Sequence, residues 1–600
     1  MRVADYIMDR LVQLNIKQVF FLPGGGAMHL NDALACQPKL EPVVCLHEQA
    51  CGIAAESAGK FLAGPSACLV TSGPGATNVL TATLGAWLDS TPVFFISGQV
   101  KRSDLKKGTQ LRMLGVQEVD IVTLVQSITK MAVTLTDPQQ VGVVMDELEK
   151  AALSGRRGPV WLDVPLDVQA MEIDPNTLPR ARQESTPESE VITSELKIDA
   201  IQIIDKLRDA QRPVLLVGSG VRIAKAENAL LSFAESAGIP VLTSWLGMDL
   251  IADDHPLYAG RPGAIAPRWA NFALQNSDCL IVIGCRLDMG LTAYAHEKFA
   301  RGAVKIMVDI DPAEIKKMRM EITIPVVADA GHFLQALIQT LAQEKPLPTY
   351  ATWLDRIREW KLAYPLIQPN HCQSEEGLSL YYFTDLLSDA LAPDDIIATG
   401  SAGLCVELFL LALRLKAGQR CFHNRGTGSM GFGLPAAIGA CLAAGRRRTI
   451  CVEGDGGLQM NVQELATLAA KSLPVFCFVI NNGGYASIRT SQQNYFKRQI
   501  GADAHSGLKL PNLETLCEAY SVAYQKIDAS SSVSEQIQAV LSHSGPLIIE
   551  VFVLNEEPRI PRVATRQLSN GSMESSPLED LYPFLDRDEL RANMLIPTID

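Results

Sequence analysis

Three side chains in this sequence combine a reactive group with a setting that could use it. Asp455 stands in "VEGDGGLQMN", where an apolar, β-prone run meets glycines on both sides. Asn482 follows the apolar run "VFCFVIN"; between the two lie Val462, Leu465 and Leu468 at helical spacing and a stop at Pro474. A carboxylate, an amide oxygen and nearby backbone carbonyls such as that of Gly484 are hard oxygen donors. Mg²⁺ takes such donors and completes its shell with phosphate oxygens and water. Gly454, Gly456 and Gly457 would let backbone amides come close to a phosphate. A GDG alone would also suit a tight turn with a capping aspartate, but GDG, a helix and an Asn-Asn pair at this distance form a more specific pattern.

The third residue is Glu48, in "EPVVCLHEQACGIAAESAG". It follows a strand and opens a helix of small residues, with Cys45, Leu46, Ala50 and Cys51 around it. A carboxyl buried in such company holds its proton more firmly, which suits proton transfer near neutrality. Taken alone, it reads equally as a solvated glutamate at a helix N-terminus. Two more glycine-rich turns, "PGGGAMH" and "TSGPGATN", also end strands and should face the same sheet edge. His29 and His47 are candidates to handle protons or donate to a substrate, and a structural hydrogen bond would explain either as well.

The elements that must position these residues recur in three blocks. Short apolar strands alternate with helix-like segments and glycine-rich turns, the grammar of parallel α/β sheets. The strands include "KQVFFLP", "ACLVTSG", "PVFFISG" and "GPVWLDVP" in the first block, and "RPVLLVGSG", "CLIVIGC" and "KIMVDID" in the second. "DIIATG", "TICVEGD", "VFCFVIN" and "PLIIEVFV" belong to the third. A right-handed crossover would bring Asp455 and Asn482 to one edge of a parallel sheet, where open α/β sheets bind ligands. We expect an α/β chain of three doubly wound parallel-sheet domains, 1–170, 198–341 and 378–555. Polar connectors 171–197 and 342–377 would join them, and an irregular, Pro-rich tail, 556–600, would follow.

Composition narrows the function. With 600 residues, 47% of them apolar and 20% charged, the chain is an ordinary globular one. Its net charge of −13 gives no electrostatic reason to expect nucleic acid. Thirteen cysteines without a CxxC pair point to buried thiols in a reducing compartment, not a zinc or disulfide framework. No signal peptide or membrane span is apparent, so a cytoplasmic protein is expected. "GTGSMG" matches a dinucleotide fingerprint and Glu453 lies roughly where a ribose-binding acid would. The preceding "RCFHN" makes a poor strand, however, which argues against NAD.

Together these stretches resemble the thiamine-diphosphate-dependent enzymes of the acetolactate synthase (acetohydroxyacid synthase)-like family. The matching pieces are "PGGGAMHLNDAL", "LHEQACGIAAESAG", "TSGPGATN", "LDSTPVFFISGQV", "GVQEVDIV", "GPVWLDVPLDVQ", "GTGSMGFGLPAAIGA" and "GDGGLQMNVQELATLAAKSLPVFCFVINN". They lie in family order across all three blocks. The resemblance implies a pyrimidine-binding domain, a central FAD-type domain and a diphosphate-binding domain. It implies that Glu48 contacts N1′ of the aminopyrimidine and promotes loss of the C2 proton. Pro74, Asn78, Gly428 and Met430 would hold the pyrimidine; Ser401, Ala402 and Gly403 would form a second diphosphate turn beside Gly454, Gly456 and Gly457. Asp455, Asn482 and Gly484 would hold Mg²⁺. Gly26, His29, Gln117, Lys130, Ile488 and Ser491 would lie near the substrate channel.

The implied reaction decarboxylates a 2-oxo acid, pyruvate by analogy, and transfers the acyl carbanion to a second carbonyl compound. A 2-oxo acid decarboxylase, an oxidase or an acetyl-phosphate-forming lyase is the alternative. Intact Glu48, Asp455 and Asn482 argue against a non-enzymatic homologue. Family members assemble their sites across a subunit interface, so a homodimer or homotetramer is expected. Ser491 and Val116 stand where the synthases carry tryptophan and phenylalanine, which fits a larger ketone or aldehyde acceptor. Leu404 replaces a histidine in the diphosphate turn. The central block offers Gly218, Gly220, Thr243, Arg286, Asp288, Asp309 and Asp329 to FAD, but Gly290 replaces an arginine that lies against the flavin in the synthases. FAD and an empty or differently occupied block both stay open. The tail is a candidate active-site lid.

Overall fold

The computed structural model describes residues 1–181, 192–372, 377–567, 571 and 573–599, so part of each polar connector lies outside the described residues. Strands β1 (Gln18–Phe21), β2 (Glu41–Val44), β3 (Ser66–Val70), β4 (Val93–Gln99), β5 (Met131–Thr134) and β6 (Val160–Pro165) form a parallel sheet ordered β2-β1-β3-β4-β6-β5. The central sheet contains β7 (Pro213–Val217), β8 (Val241–Thr243), β9 (Tyr258–Gly260), β10 (Cys279–Ile283), β11 (Val304–Asp309) and β12 (Ile324–Val327), ordered β12-β11-β10-β7-β8-β9. The third contains β13 (Ile396–Thr399), β14 (Arg420–Phe422), β15 (Thr449–Gly454), β16 (Val475–Asn481), β17 (Ala523–Ile527) and β18 (Leu547–Phe552), ordered β14-β13-β15-β16-β18-β17. The three-sheet α/β expectation is met. β3, β4, β7, β10 and β13 are buried throughout, as strands covered by helices on both faces must be. "RCFHN" does contain a strand: β14 is a three-residue edge strand, too short to show a period.

The first and third sheets, which share one strand order, lie in one compact unit. Their closest joint is a crossing of two small-residue helices, Glu48–Leu62 and Gly433–Ala443, which follow the topologically equivalent strands β2 and β14. A methyl group on Gly439 would overlap the Ala54 carbonyl, and the Ser57 hydroxyl donates to the Ala436 carbonyl at 2.7 Å. The backbones approach closely because the facing side chains are small.

The central sheet and the tail form the other unit. Leu578, Leu590 and Met594 enter the central core, and burying each leucine stabilises the unit by roughly 1.5–3 kcal/mol. Asn271 donates to the Leu578 carbonyl at 2.7 Å, Gln275 to the Glu579 carboxylate at 2.7 Å, and the Trp360 indole to Asn593 at 2.8 Å. Tyr582 and Phe584 of the tail stay exposed.

Candidate active site

β15 and β16 pair in parallel with Gly454 opposite Ile480, so the turns that follow them leave the same sheet edge side by side. Asp455 opens a one-turn helix there and is 8% exposed. Its Oδ1 accepts from the Gly456 amide at 2.7 Å and its Oδ2 from the Gly484 amide at 2.8 Å. Burial pushes this carboxyl up to about 6, against the pull of those donors. Asn482 is 5% exposed, and its side-chain amide makes no hydrogen bond among the described residues. A buried carboxylate tied to the neighbouring turn, beside a buried unengaged amide, is a donor set that fits Mg²⁺. Among the described residues no group of three His, Cys, Asp or Glu suits a metal, so a zinc-type site is not offered here.

The three glycines around Asp455 differ in what they permit. A methyl on Gly456 would overlap the Tyr485 ring, and one on Gly457 would overlap the Glu453 carboxylate. Only Gly454 faces open space, with the Gly457 amide nitrogen nearest at 3.9 Å. Glu453 points inward, not toward a ribose: it accepts from the Gly433 amide at 2.8 Å and the Gly454 amide at 3.1 Å, and burial pushes it up to about 7.

The second turn of this edge follows β13. The Ser401 hydroxyl accepts from the Asn424 amide at 3.0 Å, the Ala402 carbonyl accepts from the Cys405 thiol at 2.9 Å, and Gly403, at φ 72°, has open space around it. Gly428 holds φ 62° and lies near the Ser401 carbonyl; Met430 is half-buried. A buried ionic cluster anchors this loop to the first domain. Lys60 contacts Glu56 at 2.6 Å and Asp89 at 2.8 Å. Asp89 accepts from the Gly426 amide at 3.2 Å, and Glu56 from Asn424 at 2.9 Å.

Glu48 is 8% exposed at the N-terminus of its helix. Asn78 donates to its Oε2 at 3.0 Å, which leaves Oε1 without a hydrogen-bond partner among the described residues. Gly75, in the same turn as Pro74, has room for no more than its hydrogen beside Thr71. His47 is the helix cap, its Nδ1 accepting from the Gln49 amide at 3.1 Å. The Gly26 amide donates to Thr71 Oγ1 at 3.1 Å, which joins the two glycine-rich turns. Gln117, at φ 65°, packs its carbonyl against Gly73 of the "TSGPGATN" turn. No hydrogen bond or ion pair joins Glu48 to Asp455 or Asn482 among the described residues.

The other channel candidates divide. Lys130 donates to the carbonyls of Ser154 and Arg156, at 3.0 and 2.8 Å, beyond the end of a helix. His29 is half-buried. Ile488 is 44% exposed and Ser491 donates to its carbonyl at 3.0 Å, both on the helix Ala486–Phe496 that follows the Asn482 turn. Sequence reading overlooked Arg489 and Tyr485, which lie against this turn, and the Glu56–Lys60–Asp89 cluster. The only signal was an arginine shortly after "NNGGY".

In the central unit the residues named for FAD are largely engaged with their own chain. Methyls on Gly218 or Gly220 would overlap the Gly284 backbone. Asp288 accepts from the Gly290 and Leu291 amides at 2.9 and 3.2 Å, Asp309 from the Asp311 amide at 2.9 Å, and Asp329 caps a helix through Gly331 and His332. Arg286 is half-buried. Thr243 Oγ1 is buried without a hydrogen-bond partner.

Comparison with known proteins agrees with this layout. Residues 1–124 match the thiamine pyrophosphate enzyme N-terminal TPP binding domain, 201–337 the central domain, and 400–551 the C-terminal TPP binding domain. The acetolactate synthase large subunit of Corynebacterium glutamicum is 32% identical over 98% of this chain and 92% of its own. The isozyme 1 large subunit of Escherichia coli K12 is 32% identical over 93% of this chain and 95% of its own, and chloroplastic acetolactate synthase 1 of Zea mays 31% over 93% and 86%. With three cofactor-enzyme domains in order, and these synthases alike along nearly its whole length, the chain belongs to the thiamine pyrophosphate enzymes of the acetolactate synthase-like family.

Proposed function

We propose that this chain is a carboligase that decarboxylates a 2-oxo acid, pyruvate, and joins the remaining acyl unit to a second carbonyl compound. The observation that carries the reading is the pairing, in a family member, of an Asp455–Asn482 edge fit for a metal-bound diphosphate with a buried Glu48 that keeps one oxygen unengaged. Thiamine diphosphate, when bound, supplies the electron sink for the carbanion that decarboxylation leaves. Asp455, Asn482 and the Gly484 carbonyl would hold Mg²⁺ against its diphosphate, and Gly454 would let the backbone come close to it. Glu48 Oε1 would exchange a proton with N1′ of the pyrimidine while Asn78 fixes Oε2.

Loss of CO₂ followed by carbon–carbon addition involves no net oxidation. The chemistry therefore does not require FAD, and turns closed largely on their own backbone, Thr243 Oγ1 excepted, support a structural role for the central sheet. Absence of flavin absorbance from the purified protein checks this. Self-association is supported by apolar side chains left exposed around the site, among them Val116 at 82% and Ile500 at 76% on turns and Phe496 at 69% at a helix end. Sedimentation of the purified chain tests it, and a monomer that is fully active would rule it out. Thirteen free cysteines fit a reducing compartment, and no helix of the described residues is long and apolar enough to cross a membrane.

The acceptor should be larger than a second 2-oxo acid, because small, exposed Ser491 stands where the synthases carry tryptophan. Incubation with labelled pyruvate and a panel of aldehydes and ketones, read by mass spectrometry, should give carbon–carbon-linked products. Acetaldehyde or acetyl phosphate alone would favour the decarboxylase or lyase reading.

A further inference from the structure

We propose that Arg489 is a positioning residue that locks the Asn482–Gly484 turn in its metal-binding form. This rests on the cofactor reading above. The turn contains two consecutive glycines at φ 72° and 121°, Gly483 and Gly484. Glycine has little conformational preference, so neighbouring groups must fix the direction of each peptide. Arg489 lies one helical turn beyond Tyr485 and is only 3% exposed. Its Nη2 donates to the Asn482 carbonyl at 2.8 Å and to the Asn555 carbonyl at 2.7 Å, and its Nη1 donates to the Gly483 carbonyl at 3.0 Å.

Each peptide of the turn is thereby held at both ends. In the unit between Gly483 and Gly484, Arg489 takes the carbonyl and Asp455 Oδ2 takes the amide hydrogen. In the preceding unit, Arg489 takes the Asn482 carbonyl, and the Gly483 amide donates to Asn481 Oδ1 at 3.1 Å. The bond to Asn555 fixes the assembly to the chain just after β18. Two peptide planes clamped in this way set where the Asn482 side chain lies relative to Asp455 and how the chain enters Gly484, whose carbonyl sits in the next peptide, held by the Tyr485 amide's bond to the Ala502 carbonyl at 2.8 Å. The rigid planar fork of a guanidinium reaches all three carbonyls from two separate nitrogens, whereas a lysine ammonium must donate from one nitrogen on a flexible stem. Groups that orient metal ligands from behind typically change metal affinity by about 10–100-fold when removed.

The test is calorimetric titration of Mg²⁺ and thiamine diphosphate into the full-length apo-protein, with thermal melts of the apo-proteins alongside. Arg489→Ala should weaken Mg²⁺-dependent cofactor binding by roughly 10–100-fold, Arg489→Lys by less, and added methylguanidinium should restore much of the Arg489→Ala loss. Asp455→Ala is the benchmark for loss of the metal itself. Wild-type binding by Arg489→Ala overturns the inference, as does a loss that methylguanidinium leaves untouched and that Arg489→Lys shares in full. If Arg489→Ala does not fold, the comparison rests on Arg489→Lys, whose binding would then have to be weaker than wild type. Failure of the wild-type chain to bind the cofactor at all would instead overturn the cofactor reading.

Discussion

β15 and β10 are both buried strands that run into glycine-rich turns carrying an aspartate, Gly454–Asp455 on one and Gly284–Asp288 on the other. At β15 the aspartate reaches beyond its own turn to the Gly484 amide, and the Asn482 amide beside it is left unengaged. At β10 the aspartate serves its own turn through Gly290 and Leu291, and Gly284 closes against Gly218 and Gly220. Similar residue patterns therefore serve two purposes. What marks the first is that the acid bridges to another strand's turn beside an unsatisfied polar group.

Two substitutions at the bridging end should have the largest effects. Glu48→Gln should slow decarboxylation by about 10²–10⁴-fold, the usual worth of a placed acid–base group, with cofactor binding largely kept. Full turnover by this variant would remove Glu48 from its role. Asp455→Ala should abolish Mg²⁺-dependent cofactor retention in calorimetry, whereas Asp288→Ala should leave it unchanged. Equal losses from both would erase the distinction between the turns.

The bridging end was partly legible in the sequence, whereas Asp288 read there as a second ligand-binding acid. The crossover between Asp455 and Asn482 follows from strand–helix–strand spacing, and Glu48 from its place after β2. The remainder depends on backbone direction, which spacing does not reveal. An arginine in the first turn of a helix reads as a solvated charge until carbonyls 482 and 483 are seen turning back toward it. His47 and Lys130 stood among the candidates, and backbone groups engage His47 Nδ1 and the Lys130 ammonium. Glu453 resembled a ribose acid because sequence does not show that three glycine turns crowd around it. The short strands β8, β9, β14 and β17 lack a clear apolar signature because edges and three-residue segments are half-exposed or too brief for one.

A pair of glycine substitutions sharpens the comparison at smaller scale. Gly218→Ala pushes a methyl into the Gly284 backbone, so it should destabilise the fold by about 1–3 kcal/mol in urea denaturation and spare cofactor affinity. Gly454→Ala places its methyl in open space at φ −79°, which any residue tolerates. Its stability should stay within about 0.5 kcal/mol of wild type, while cofactor affinity falls because the backbone no longer comes close to the diphosphate. The reverse pattern would mean that the glycines of the two turns have been assigned the wrong way round.

A pH-dependent effect concerns an aspartate at neither kind of turn. Asp163 lies within β6, 1% exposed, and accepts from Ser97 at 2.7 Å, Gln99 at 3.1 Å and Thr134 at 3.1 Å. Burial pushes it from 3.8 up to about 7, against the pull of those three donors. A folded-state value above the unfolded one means that the folded chain binds the extra proton between the two. The associated stability is fully present below about 3.8 and is lost as the pH rises through about 7. Asp163→Asn removes that dependence while keeping the size of the side chain. Other buried carboxyls, such as Glu56, contribute similar slopes, so the informative quantity is the difference between wild type and variant. Urea midpoints between pH 4.5 and 7.5 should fall less steeply with rising pH in the variant. Parallel slopes would show that Asp163 stays ionised in the fold, held by its three donors.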